Sequence, residues 1–349
     1  MLAAMPPTPT SPADPGEPRI RDRGDACPGA LRLHAADDGR LARLRLPGGL
    51  LTECQLDALA TAADGLGDGS LSVTSRGNVE LRGLSDACGA PLAALLRDAG
   101  LLPSETHERV RNVVASPLAG LDGLGCADVQ LWARELDALL CGTEWAAGLS
   151  GRFLFALDDG RGDVARLGAD VTLLAERGGA AVLRIGHRLA FRVAGADAPR
   201  AALAAAEAFL AAAAESGTGA WRVRELPDGQ HLAVGKRLER AGVAAVPVPA
   251  PVRGTPSWCP AALSHSDAHQ ADGDRPRPAP VRSGGAAREA DGSGPMGPLP
   301  GIVAGPRGWA VSVVAPRGRG APPPPPRGPP RPPPPQPAHT QGRARGGAG

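Results

Sequence analysis

The sequence predicts an α+β protein with mostly antiparallel sheets, ending in a long segment that has no fold of its own. Three observations carry this. Short alternating strands and amphipathic helices fill residues 27 to about 242. They begin in the order β-α-β-β-α. After Val243 the chain turns abruptly into Pro, Arg, Gly and Ala, as in "APPPPPRGPPRPPPPQPAHTQGRARGGAG". A segment of that kind cannot bury enough apolar surface to offset the entropy of ordering it.

The elements follow from local patterning. Residues 1–25 are polar and Pro-rich and read as a disordered leader with no apolar run of a signal peptide. In "RLARLRLP" Ala42, Leu44 and Leu46 alternate with Arg43 and Arg45, as on a half-buried strand that stops at Pro47-Gly48-Gly49. Thr52 with Gln55 forms a capping box, opening a helix with Leu56, Leu59, Ala60 and Ala63 on one stripe. "SLSVTS" and "NVELRGL" are two strands joined at Arg76-Gly77 and expected to pair antiparallel. Ser85 is placed to cap the next helix, "DACGAPLAALLRDAG". This order makes residues 26–105 a ferredoxin-like half-domain.

Residues 106–242 read as a second α+β domain. "RNVVASPLAGLDG" is expected to be loop. "CADVQLWARELDALLCGTEW" is a helix through Val129, Trp132, Leu136 and Leu139. "RFLFALDDG", "ADVTLLAE", "AAVLRIG" and "LAFRVAG" are strands, and "APRAALAAAEAFLAAAAESG" is an Ala-rich helix. Residues 243–349 form the low-complexity tail. A shift of reading frame near residue 243 in a GC-rich gene would produce such a change.

Composition narrows the function. A net charge of +2 gives no basic field for nucleic acid, and an aromatic share of 3% with no Tyr is thin for base stacking. No stretch is apolar and long enough to span a bilayer, so a cytoplasmic location is the default. Six cysteines, none in a C-x-x-C pair, exclude a zinc ribbon or thioredoxin motif. Cys259, His265 and His269 could approach a zinc site but lack a fourth ligand, and no metal site is assigned. Cys54 and Cys88 are expected to pack as small apolar groups, and Trp132 as core.

Three ordered motifs stand out: "RLRLPGGLL" (43–51), "VTSRGNVELRG" (73–83) and "RNVVASPLAG" (111–120). Together they resemble the nitrite/sulfite reductase superfamily. The opening "ACPGALRLHAADDGRLARLRLPGG" and "LSGRFLFALDDG" are most similar to its cobalamin-pathway branch. The resemblance spans about residues 26–240, the first half of a duplicated architecture. It implies a ferredoxin-like half-domain followed by a nitrite/sulfite reductase-type α+β domain.

The resemblance implies oxidoreductase chemistry on a carboxylate-rimmed tetrapyrrole, with siroheme or a tetrapyrrole substrate in the pocket and a [4Fe-4S] cluster nearby. It makes Arg45, Arg111 and Arg152 catalytic candidates, and Thr74, Ser75 and Arg76 the residues lining the tetrapyrrole. Arg152 and Leu154 stand where the reductases carry lysines, which speaks against nitrite or sulfite as substrate. The cluster's C-x5-C and C-x3-C cysteines do not occur, so the chain is expected to be incomplete, or to be a non-catalytic tetrapyrrole-binding remnant. Its electron donor is not legible. Guanidinium forks suit carboxylates, and neighbouring glycines let backbone approach a ring. The plainer alternative for Thr74 and Ser75 is a turn in which each bonds its own backbone.

Overall fold

The computed structural model describes Asp25, residues 27–250 and, as backbone only, the strand residues 301–305, 308–312 and 319–320. The expected leader, apart from Asp25, and most of the expected tail lie outside the described residues, as do Cys259, His265 and His269.

The first unit has the expected β-α-β-β-α order, preceded by one strand the sequence reading did not include. β1 (His34–Ala36) and β2 (Gly39–Leu44) form an antiparallel hairpin. β2 then pairs antiparallel with β4 (Val79–Leu84), which pairs antiparallel with β3 (Leu71–Val73). α1 (Glu53–Leu66) and α2 (Gly89–Asp98) cover this sheet, burying Leu59, Ala62, Ala63, Leu92 and Leu96 against Leu44 and Leu81. The capping box is present. Thr52 Oγ1 accepts from the Gln55 N–H at 3.3 Å, and Gln55 Oε1 accepts from the Thr52 N–H at 3.0 Å. The expected Ser85 cap is not made. The Ser85 hydroxyl lies 3.0 Å from the Cys88 sulfur instead, and a 3-10 turn (Asp86–Cys88) precedes α2.

The second unit holds a six-stranded sheet in the order β10-β9-β8-β7-β6-β5. Its strands are β5 (Val113–Ala115), β6 (Phe155–Asp158), β7 (Val171–Glu176), β8 (Ala180–Ile185), β9 (Leu189–Ala194) and β10 (Ala245–Val248). β5, β6 and β7 run parallel, while the pairs β7-β8, β8-β9 and β9-β10 are antiparallel, so the sheet keeps the expected antiparallel majority and adds a parallel edge. The expected loop "RNVVASPLAGLDG" therefore begins with a strand. Three residues are too few to show a period, and only the partner strand identifies them. β10 pairs antiparallel with β9, so ordered structure extends past the boundary expected at residue 243.

α3 (Val129–Cys141) buries Val129, Ala133, Leu136 and Leu140, while Trp132 and Leu139 sit at the edge of that stripe. α4 (Ala198–Ser216) lies against α3 and the sheet, and its many small side chains permit close approach. The core closes on an aromatic trio. Phe153 has its ring centroid 5.2 Å from Phe155 and 4.9 Å from Phe209. A short helix, α5 (Val234–Arg240), precedes β10. Further along, β11 (Gly301–Gly305) and β12 (Gly308–Ser312) form a hairpin, and β13 (Arg319–Gly320) pairs with β3.

Candidate functional site

A cleft of about 450 Å³ opens between the two units. One wall comes from the first unit, with Leu46, Gly48 and Gly49 from the turn after β2 and Val73, Arg76 and Gly77 from the turn between β3 and β4. The other comes from the second unit, with Val114, Ala115 and Pro117 around the end of β5 and Asp163 and Val164 from the loop after β6. The three motifs singled out in the sequence thus meet on one concave surface. The walls are mostly apolar, with few polar groups, as in small-molecule and cofactor sites.

The wall turns are locally determined. Pro47 ends β2 by fixing its own backbone angle. Gly48 then takes φ +69°, where a side chain is strained. In the facing turn the Thr74 hydroxyl accepts from the Arg76 and Asn78 N–H groups at 3.3 and 3.1 Å. Thr74 therefore shapes the turn that carries Arg76, in keeping with the plainer alternative. Ser75 is exposed at its tip.

Three side-chain amides fasten these turns across the cleft. Asn78, only 1% exposed, accepts from the Leu46 N–H at 3.1 Å and donates to Asn112 Oδ1 at 3.0 Å. Asn112 in turn donates to the Phe153 carbonyl at 3.1 Å. Gln130, in the first turn of α3, donates to the Gly48 carbonyl at 3.3 Å and to the Ser116 carbonyl at 3.1 Å.

The four candidate arginines separate into different roles. Arg45 is 4% exposed, and its guanidinium donates only to backbone carbonyls, those of Arg109 at 3.1 Å and Gly151 at 3.2 Å. Among the described residues no carboxylate pairs with it. Burial, helped by the nearby Arg43 and Arg76 cations, pushes its pKa down to about 10. Arg76 is half-buried, lines the cleft and has no ion pair among the described residues. Burial and the Arg222 cation lower its pKa. These two are a pair of under-neutralised cations in one region.

Arg152 is exposed at the same junction, with its guanidinium carbon 5.0 Å from the centroid of Trp221. Cys27 lies among these side chains. Its thiol is pushed up first by burial and then by Asp25, against the opposing pull of Arg152 and Arg45. Arg111, in contrast, forms a bidentate ion pair with Asp137 of α3, at 2.6 and 2.7 Å. It also donates to the Leu101 carbonyl at 3.4 Å and does not line the cleft. The structure brings Arg45, Arg76 and Arg152 together and gives Arg111 to the frame. Arg222 is likewise occupied, by Asp170 at 2.5 Å.

Reading the sequence missed the N-terminal strap that covers Arg45. Asp25 accepts from the Cys27 N–H at 2.9 Å, the Ser150 hydroxyl at 2.9 Å and the Gly151 N–H at 2.6 Å. Glu108, 8% exposed, accepts from the N–H groups of Ala30 and Leu31. Asp25 closed the expected leader, and no sequence period marked it as bonded. Asp163 was also missed. Its Oδ1 accepts from the Ser116 hydroxyl at 2.6 Å, while its buried Oδ2 has no hydrogen-bond partner among the described residues.

The residues suit a tetrapyrrole better than a cluster. Gly49 and Gly77 leave the cleft surface flat, since a Cβ on Gly77 would meet nothing closer than Gly49 Cα at 3.9 Å. Among the described residues the one group able to hold a metal ion is Asp158, Asp159 and Asp163. Cys27, Cys54, Cys88, Cys126 and Cys141 do not converge, so the described residues do not fit a [4Fe-4S] cluster. Even the acidic trio is largely spent. Asp158 accepts four backbone N–H groups, and Asp159 is paired with Arg161.

Comparison with known proteins finds partial matches. Residues 34–99 match the nitrite/sulfite reductase ferredoxin-like half domain. The chain is 34% identical over 154 residues to a precorrin-3B synthase from Sinorhizobium sp, covering 44% of this chain and 33% of that protein. It is 35% identical over 127 residues to a ferredoxin–nitrite reductase from Synechococcus elongatus, covering 35% and 25%. The structure of the Mycobacterium tuberculosis NirA protein aligns with a TM-score of 0.44 at 21% identity, over 61% of this chain and 43% of that one. The chain spans a third or less of the curated relatives it matches. No helix among the described residues is long and apolar enough to cross a membrane.

Proposed function

We propose that the cleft binds the carboxylate-bearing edge of a tetrapyrrole, as the tetrapyrrole-facing part of an oxidoreductase of the precorrin-3B synthase type. The observation that carries this reading is the pair Arg45 and Arg76. Arg45 is buried and Arg76 half-buried, neither has a carboxylate partner among the described residues, and they lie beside an apolar, glycine-walled cleft. Burying an unpaired cation is costly, so such a pair suits an incoming anion. Arg76 would take a rim carboxylate directly. Arg45, held from behind by two carbonyls, would add positive potential. Each charge-assisted bond contributes roughly 1.5–3 kcal/mol. The apolar walls would exclude water around the ring.

In this reading the macrocycle is the substrate. The second reading, a siroheme-dependent nitrite or sulfite reductase, is favoured by the similarity to ferredoxin–nitrite reductases. There an iron-bearing macrocycle would supply the electron-transfer chemistry. Leu154 counts against it, because this position, where a reductase-like lysine is expected, holds a side chain 2% exposed in the core. A third reading is a non-catalytic tetrapyrrole-binding protein, since no cluster ligands are assembled among the described residues.

Titration of the purified protein with uroporphyrin, followed by its visible absorption, tests the shared element. Binding should weaken as salt is added and fail with an uncharged porphyrin. Iron and acid-labile sulfide analysis then separates the readings. Equal binding of charged and uncharged porphyrins would defeat the proposal.

A further inference from the structure

Gln130 is buried, only 7% exposed, yet its Oε1 has no hydrogen-bond partner among the described residues. Leaving a buried acceptor unpaired costs free energy, so such an atom calls for a reason. The reason lies in what the same amide does with its nitrogen. Nε2 donates at once to the Gly48 carbonyl and the Ser116 carbonyl. Gly48 belongs to one cleft wall, and Ser116 sits between Ala115 and Pro117 of the other. A carbonyl on each side requires a donor between them, and only one orientation of the amide supplies two donor hydrogens there. The oxygen is left where no donor reaches it. Gly48 is matched to this arrangement, because a Cβ there would stand 2.3 Å from Gln130 Oε1.

We propose that Gln130 is a positioning residue for the cleft. It sets the spacing of the two walls, and so the fit of the tetrapyrrole ring, at the expense of its own oxygen. The inference rests on the tetrapyrrole-binding reading above. It concerns a residue that touches neither Arg45 nor Arg76 and acts through the wall carbonyls.

The substitution Q130M keeps the length of the side chain, removes both donors and also removes the stranded oxygen. The gain and loss in the folded state therefore offset, and the melting temperature is expected to stay close to that of the parent protein. Affinity for uroporphyrin is expected to fall about tenfold, since small misplacements of a preorganised site weaken it steeply. The absorption maximum of the bound porphyrin should also shift, which a solely stabilising residue would not cause. If Q130M does not fold, Q130N is read in the same assays, because its shorter amide cannot span both carbonyls. Unchanged affinity and spectrum in a folded variant overturn the inference while leaving the tetrapyrrole reading intact. Failure of the parent protein to bind uroporphyrin removes that reading and this inference together.

Discussion

Arg45 and Arg111 are almost equally buried, and their partners make them opposites. Arg111 meets Asp137 in a fork, satisfying both ions inside the protein. Replacing it by alanine strands a carboxylate. R111A is expected to lose about 3 kcal/mol of stability by urea unfolding, with uroporphyrin affinity of the folded fraction unchanged. Asp163 gives a prediction of the other sign. Its carboxyl is raised above the usual 3.8, first by burial and then by Asp158 and Asp159, against the Ser116 hydrogen bond and Arg161. The folded state holds this proton more tightly than the unfolded chain. Its contribution is therefore complete below 3.8 and is lost as pH rises through the raised value. D163N, uncharged throughout, should melt above the parent protein at about pH 8, with the difference closing towards about pH 4. The sequence shows these arginines but not what each one pairs with. Asp137 lies 26 residues beyond Arg111, and no local pattern links them.

The strap, the wall turns and the short strand β5 show what is legible at the scale of elements. Helices and long strands declare themselves by period, and α1 even declares its cap. The strap has no period, only two glutamate-held N–H groups and one aspartate. Gly29 is the tight point, because a Cβ there would lie 2.1 Å from Glu108 Oε1. That carboxylate could swing aside only by releasing Ala30 and Leu31. G29A is therefore expected to cost about 2 kcal/mol, roughly one or two buried hydrogen bonds, by thermal or urea unfolding. β5 was unreadable for a related reason. Its identity rests on β6, 42 residues further along the chain, whose register pairs Val113 with Phe155.

At the scale of the whole molecule, the cleft exists because two separate cores face each other, one beneath β2 and β4 and the other beneath β5 to β9. The composition change near residue 243 reads as an edge of the fold, yet the sheet takes in β10 beyond it, with Ala245 opposite Val193 and Val248 opposite Ala190. A chain ending at residue 242 should therefore unfold with about 2 kcal/mol less stability than one ending at residue 250, from lost ladder hydrogen bonds and lost cover over β9. Equal stabilities would show that β10 contributes nothing to the sheet.

The bridge between Asn78 and Asn112 carries no formal charge. That part of the joint between the two units is consequently insensitive to ionic strength, whereas the proposed grip of Arg76 on an anion is not. Concentrated salt should release a bound macrocycle from an undisturbed frame, so elution by salt would return the protein ready to be loaded again.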